Sequence, residues 1–405
     1  MIPDISKIRK DFPILDQKVN GKPLIYFDNA ATSQRPLQVI ERLNEYSLHT
    51  NANIHRGNHY MANKTTEAYE AGRETVRQFI NAAEAEEVIF THGTTESVNL
   101  VAFSFGQAFV SAGDEVIVTE MEHHANIVPW QMMCERRGAV LKVLPFNDNG
   151  ELQVELLDHL ITDKTKILAV AHVSNTLGTV NPVREIILKA HLRNVPVFVD
   201  GAQAAPHFKI DVQALGCDFY AFSGHKLYGP TGIGVLYGKR KWLDQMPPFL
   251  GGGEMIDRVT FAKTTYNQLP YKFEAGTPNY VGAIGFAAAI DYIQGSEYKS
   301  LNNYEHDLLT VATEKLKQIE GLKIYGQAPL KAAVICFNIE GIHPFDLGVL
   351  LDHLGIAVRT GRLCADPVMD HYGVENMVRA SFAFYNTFAE INVFYKALIR
   401  LKGMF

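Results

Sequence analysis

Cys217-Asp218-Phe219-Tyr220-Ala221-Phe222-Ser223-Gly224-His225-Lys226 is a mostly apolar run that passes through a small turn and stops on a single lysine. A short apolar run bounded by turn residues reads as a buried strand. Lys226 then lies just beyond the C-terminal end of that strand, the edge where open α/β sheets keep their ligands. A lysine amine there can condense with an aldehyde once it has lost its proton. The ammonium normally releases that proton near pH 10.4, and burial beside other cationic groups is the usual way to bring the value down.

Upstream, Val197-Phe198-Val199-Asp200-Gly201-Ala202-Gln203 is a second apolar run that ends in an acid and turns through glycine. An aspartate at a buried strand tip can keep a pyridine nitrogen protonated, and pyridoxal 5'-phosphate (PLP) needs such a partner to act as an electron sink. Lysine and aspartate in these positions point to PLP. Val88-Ile89-Phe90-Thr91 reads as another strand and Glu96 to Phe105 as a helix, with Gly93-Thr94-Thr95 as the turn between them. Small and hydroxyl residues at a helix N-terminus offer free N–H groups and a positive dipole end to a phosphate. In Met121-Glu122-His123-His124-Ala125-Asn126 two histidines follow the strand Val116-Ile117-Val118-Thr119, where an imidazole could stack on a pyridine ring and move protons.

The same pattern organises the whole chain. From about Tyr26 to Ile293, short apolar runs such as Glu115 to Thr119, Val140 to Leu144, Lys166 to His172 and Val197 to Asp200 alternate with helical patterns. That alternation predicts an α/β domain with a mostly parallel sheet and helices on both faces. After the polar stretch Gln294-Gly295-Ser296-Glu297-Tyr298-Lys299-Ser300, a helix is expected from Asn303 to Ile319, then strands near Leu322 to Tyr325 and Ala332 to Ile339. The expected division is an N-terminal segment 1–22, a large domain 23–293 and a smaller α+β domain 294–405. Thr387-Phe388-Ala389-Glu390 has capping-box spacing, and Ile391, Phe394, Leu398 and Leu401 then recur on one helix face.

These residues and motifs resemble those of cysteine desulfurases of the sulfur-mobilisation (SUF) type, within the class V aminotransferases. The similarity extends from Tyr26-Phe27-Asp28-Asn29-Ala30-Ala31-Thr32 through Asn53-Ile54-His55-Arg56-Gly57 to Arg359-Thr360-Gly361 and Cys364-Ala365. It implies PLP-dependent transferase fold type I, with a mostly parallel seven-stranded sheet, flanking helices and a smaller α+β domain on which the N-terminal segment packs. It implies that Lys226 anchors the cofactor and that His123 stacks on its ring and transfers protons. Asp200 would pair with the pyridine nitrogen, Thr94, Thr95, Ser223 and His225 would hold the phosphate, and Gln203 and Asn175 would lie near the phenolic oxygen. Thr277 of Phe273-Glu274-Ala275-Gly276-Thr277-Pro278 would reach the phosphate of a partner subunit, which implies a homodimer. The resemblance places the substrate-carboxylate arginine at Arg379, with Asn175 and Arg359 as helpers. It also implies iron-sulfur cluster assembly with a SufE-like or SufU-like sulfur acceptor.

A PLP fold alone leaves the reaction open among transamination, decarboxylation, racemisation and elimination. Cys364, in Arg359-Thr360-Gly361-Arg362-Leu363-Cys364-Ala365-Asp366-Pro367, is the candidate that decides. Glycine and proline mark a loop, and two arginines could favour a thiolate. Attack of that thiolate on the Sγ of bound L-cysteine would leave a persulfide on Cys364 and yield alanine. Selenocysteine lysis, transamination and an idle sulfur-relay role remain as alternatives.

The other cysteines, Cys134, Cys217 and Cys336, sit in apolar or helical runs and read as small buried hydrophobes. No C-x-x-C pair and no Cys/His grouping at zinc spacing is present, so neither a metal site nor a disulfide framework is expected. Gly229-Pro230-Thr231-Gly232-Ile233-Gly234 lacks Gly-Lys-Ser/Thr and leads into a strand, so it is no nucleotide loop; its glycines let backbone pass close to the lysine. At Arg362-Leu363 the chain departs from the family pattern, which often has a histidine or glutamine before the cysteine. His343 matches a position where some relatives dock a zinc-bearing acceptor, and it also reads as a helix-start residue.

Thirty-eight Lys plus Arg against 44 Asp plus Glu gives a net charge of -6 over 405 residues, with no basic run that would mark nucleic acid or an anionic membrane. The N-terminus mixes charges and lacks the apolar segment of a secretory signal, and the apolar stretch near Val281 to Ile290 is too short to span a bilayer. A reducing, cytoplasmic setting is therefore expected, and it suits a reactive thiol.

Overall fold

A computed structural model describes residues 4–295 and 298–404. The apolar runs become strands β1 (Val88–Thr91), β2 (Glu115–Thr119), β3 (Val140–Leu144), β4 (Thr165–Ala171), β5 (Val197–Asp200), β6 (Phe219–Ser223) and β7 (Gly234–Gly238). They form one seven-stranded sheet in the order β1-β7-β6-β5-β4-β2-β3. Neighbours from β6 across to β3 are parallel, while β7 runs antiparallel to both β6 and β1. The C-terminal ends of β1, β2, β4, β5 and β6 therefore all emerge at one edge, and β7 enters the sheet there.

Period-two alternation divides the strand side chains between two apolar clusters. Ile89, Val116, Val118, Ile167, Phe198, Phe219 and Leu236 pack on one face. Phe90, Ile117, Leu168, Val170, Val199, Phe222 and Val235 pack on the other. Burial on both faces explains why the central strands carry continuous apolar runs, as parallel strands covered by helices do.

A second sheet is antiparallel, with β8 (Leu322–Tyr325), β9 (Val334–Ile339), β10 (Arg359–Gly361) and β11 (Met377–Ser381) in the order β8-β9-β11-β10. It has its own apolar cluster, including Ile335, Phe337, Val378, Ala380, Phe394 and Leu398. The helix Phe388–Lys402 starts with the expected capping box between Thr387 and Glu390, and Ile391, Phe394, Leu398 and Leu401 are all buried.

Two helices, Tyr280–Gly295 and Tyr298–Leu316, run into the polar stretch Gln294 to Ser300 from either side. The second starts before the expected Asn303 and ends before Ile319. Ser296 and Glu297 of that stretch lie outside the described residues, as do residues 1–3 of the N-terminal segment. The rest of that segment touches both clusters. Arg9 pairs with Glu390 at 2.8 Å, whereas Phe12 is fully buried against Tyr228, Tyr292, Phe384 and Tyr385. No helix among the described residues is long and apolar enough to cross a membrane.

Candidate active site

The shared sheet edge opens into a cavity of about 310 Å³. Thr94 and Thr95 follow β1, His123 follows β2, Asn175 follows β4, Asp200 ends β5 and Gln203 follows it, and Ser223, His225 and Lys226 close β6; all of them line this cavity. Arg359 of β10, Arg379 of β11 and Cys364 form the wall contributed by the second sheet. Thr277 is not brought there. It lines a separate cavity with Phe90, Glu96 and Asn279.

At one end of the cavity the helix Thr94–Phe109 begins on Gly93, whose φ of 152° with ψ near 180° is open essentially only to glycine. The Thr94 N–H donates to Ser223 Oγ at 2.9 Å, and the two hydroxyls lie 2.8 Å apart. Hydroxyls grouped at a helix N-terminus suit an anion. A Cβ on Gly234 would lie 2.5 Å from Gly93 Cα, and one on Gly224 would meet Ile233 Cγ2 at 2.9 Å. The glycines before and around the lysine thus allow three backbone segments to converge under it.

Burial dominates the electrostatics in the middle of the cavity. It brings the Lys226 ammonium down to about 8, against the attraction of Asp200 and with the help of Arg379. The Asp200 carboxyl is pushed up by burial, although Oδ1 accepts the Ala202 N–H at 2.9 Å. His123 Nδ1 accepts the Ala125 N–H at 3.0 Å, so the neutral ring carries its proton on Nε2. Burial, with Lys226, His124 and Arg379 nearby, holds this imidazole down to about 3, so it is neutral at physiological pH. Burial and Lys226 likewise lower His225, to about 4.

Gln203 Nε2 donates to the Ala30 carbonyl at 2.7 Å, and Asn175 Nδ2 to the Leu363 carbonyl at 2.8 Å. Asn175 Oδ1 is buried with no hydrogen-bond partner among the described residues. An orphaned buried acceptor costs about 1–3 kcal/mol, so it marks a place prepared for a donor. An amine whose ammonium is brought down to about 8, a buried carboxyl, an unpaired carboxamide oxygen and an N-terminal hydroxyl cup fit PLP in both charge and hydrogen-bonding capacity.

Arg359 and Arg379 sit opposite each other in the β10–β11 register and share Asp28, at 2.9 Å and 3.4 Å. Arg379 is 4% exposed, and its Nη1 donates to the Asn175 carbonyl at 2.9 Å. Its Nε has no hydrogen-bond partner among the described residues, which leaves a buried, charged donor on the cavity wall. Arg359 is half exposed, so the two are not equivalent.

Cys364 is the exposed cysteine, while Cys134, Cys217 and Cys336 are buried, and burial pushes their thiols up, to about 11 for Cys134 and about 12 for Cys336. Leu363 and Cys364 both have φ of 54°, a left-handed backbone that costs a non-glycine residue roughly 1–3 kcal/mol. Contacts to the large sheet hold them there: the Asn175 bond to Leu363, and His124 N–H to the Cys364 carbonyl at 2.8 Å. The two arginines expected beside the thiol are each paired with an acid, Arg359 with Asp28 and Arg362 with Asp366. His343 is the N-cap of the helix Pro344–His353, its Nδ1 accepting the Phe345 N–H at 3.4 Å.

Sequence reasoning does not single out Asp28 or Glu122. Glu122 is fully buried and accepts from Thr119 Oγ1, Asn126 Nδ2 and Ala171 N–H at 2.5, 2.6 and 2.8 Å, tying the His123 segment to β4. Burial pushes its carboxyl up to about 8. An acid set between an apolar strand and two histidines is the signal that could have found it.

Such a site on such a sheet defines a PLP-binding α/β enzyme. Residues 25–394 match the family model "Aminotransferase class-V", and the chain belongs to that PLP-dependent family. Curated relatives include a "Probable cysteine desulfurase" from Halalkalibacterium halodurans, 50% identical over 98% of both chains. A "Cysteine desulfurase" from Synechococcus elongatus is also 50% identical over 98% of this chain, which spans only 64% of that relative's length. Among solved structures, the cysteine desulfurase CsdA (S-sulfonic acid) from Escherichia coli is similar over the full length of both chains, with a TM-score of 0.93 and 39% identity.

Proposed function

We propose that this enzyme is a cysteine desulfurase: it takes sulfur from L-cysteine, releases L-alanine and carries the sulfur as a persulfide on Cys364. The observation that carries this reading is the placement of an exposed thiol on the wall of the cavity that holds Lys226. When bound, PLP supplies an electron sink next to the substrate's Cα. Lys226 would anchor it as the amine that gives up its proton most readily here, with Asp200 at the ring nitrogen. Thr94, Thr95, Ser223 and His225 would surround the phosphate, and Gln203 and Asn175 the phenolic oxygen. Arg379 would bind the substrate carboxylate through its unspent donor, assisted by Arg359 and Asn175.

With substrate so held, Cys364 Sγ attacks the substrate Sγ. An S–S bond forms, the Cβ–Sγ bond breaks, and its electron pair passes to the carbon fragment, which takes up a proton to become alanine. His123, neutral with its proton on Nε2, is suited to passing that proton. The similarity to desulfurases extends the proposal to a SUF-type role, with an acceptor protein taking the persulfide for iron-sulfur cluster assembly. We place the reaction in the cytoplasm. The position of Thr277 outside its own chain's cavity supports a homodimer in which it serves the neighbouring site.

Mass spectrometry after exposure to L-cysteine tests the reading, with one added sulfur expected on the peptide containing Cys364. Cys364→Ser should keep the visible cofactor absorbance and lose alanine formation by at least about a hundredfold, whereas Lys226→Ala should lose both. Full desulfuration by Cys364→Ser would overturn the assignment of the nucleophile.

A further inference from the structure

The loop bearing Cys364 is clasped to the large sheet by a polar cluster that the chemistry above leaves unused. The helix Asp366–Tyr372 begins on Ala365, which supplies no side-chain cap. The His124 ring stands in that place. Its Nε2 lies 3.1 Å from the Asp366 N–H and 2.7 Å from Asp366 Oδ2. A neutral imidazole nitrogen cannot both accept from the N–H and donate to the carboxylate, yet either state binds Asp366. The other carboxylate oxygen pairs with Arg362. Arg362 and Asp366 lie two residues either side of Cys364, so their ion pair ties together the chain before and after the cysteine. The His124 backbone N–H meanwhile holds the Cys364 carbonyl at 2.8 Å.

The side chains of His124, Asp366 and Arg362 are 40%, 31% and 57% exposed. Ion pairs this exposed contribute little to global stability. Their effect falls instead on the loop itself, because Leu363 and Cys364 occupy a left-handed backbone that an unclasped loop would leave. We propose that His124 and Arg362 act through Asp366 as positioning residues that hold Cys364 at the cavity in its sulfur-accepting pose. This rests on Cys364 being the nucleophile.

The test uses Asp366→Ala, Arg362→Gln and His124→Ala in the PLP-bound enzyme. Alanine formation from L-cysteine and alkylation of Cys364 by iodoacetamide, mapped by mass spectrometry, are the readouts. Displacing a reacting atom slightly is enough to lower kcat on the order of tenfold for Asp366→Ala, while KM and the cofactor absorbance stay unchanged because Arg379 and Lys226 are untouched. Alkylation of Cys364 should speed up severalfold as the loop loosens. His124→Ala should lower kcat in the same direction, and His124→Gln, whose side-chain oxygen can take the Asp366 N–H, should recover part of that loss. If kcat and alkylation in both Asp366→Ala and Arg362→Gln stay within about twofold of the unaltered enzyme, the clasp is refuted. Should Asp366→Ala fail to hold PLP, the exposed Arg362→Gln decides by the same two readouts. Undiminished alanine formation by Cys364→Ser would refute the nucleophile instead, whatever the clasp variants do.

Discussion

Lys226 and Cys364 line one cavity on opposite kinds of support. Lys226 closes a fully buried strand of a sheet covered on both faces, and its surroundings shift its own titration and that of His123, Asp200 and His225. Cys364 sits exposed on a left-handed loop that hydrogen bonds to His124 and Asn175 hold in place. Anchoring a cofactor and withdrawing electrons need low dielectric and fixed geometry, which rigid strand tips provide. Collecting an atom inside and presenting it outside needs a carrier that is both placed and accessible, which a loop provides.

The sharpest way to break this comparison is at the wall between the two supports. Arg379→Lys keeps the charge but loses the planar fork, and hydrogen bonds between charged groups are worth about 1.5–3 kcal/mol. kcat/KM for L-cysteine should fall roughly tenfold to a hundredfold, while the visible cofactor absorbance and Cys364 alkylation are preserved. Loss of the absorbance would mean that the wall also builds the cofactor end.

A second measurement sharpens the buried side. Apo-enzyme can capture PLP only through the neutral Lys226 amine, and burial places its ammonium at about 8. Below that pH the neutral fraction falls about tenfold per unit, so the capture rate should climb up to about pH 8 and then level off. A rate still climbing toward the ordinary lysine value near 10.4 would show that the strand tip does not shift the amine.

The smallest expected effect lies beneath His123. Glu122→Ala strands the buried donors of Ala171, Asn126 and Thr119, at a cost of about 1–3 kcal/mol. Thermal unfolding should show that loss, and Glu122→Gln should recover part of it. An unchanged melting temperature in Glu122→Ala would mean that water satisfies those donors and that the rigid side is open to solvent beneath His123.

Much of this was legible in the chain. The apolar runs ending in Asp200 and Phe222 and the capping box at Thr387 became the elements their local patterns implied, because strand period and helix capping act over a few residues. The helix expected from Glu96 instead starts at Thr94, so the two threonines form its first turn rather than the turn before it. The helix Tyr298–Leu316 was less legible: it starts within the polar stretch, whose residues carry no apolar repeat in the sequence.

Local pattern determined that strand tips would bear a lysine, an acid and a hydroxyl turn. Only the tertiary structure decided that Asp28 joins Arg359 and Arg379 across 331 and 351 residues, and that His124 meets Asp366 across 242. It also decided that Glu122 is buried among donors and that the two arginines preceding Cys364 are already paired. Burial and pairing are properties of three-dimensional neighbourhoods. They set which charges are left to act, and no local run of residues encodes them.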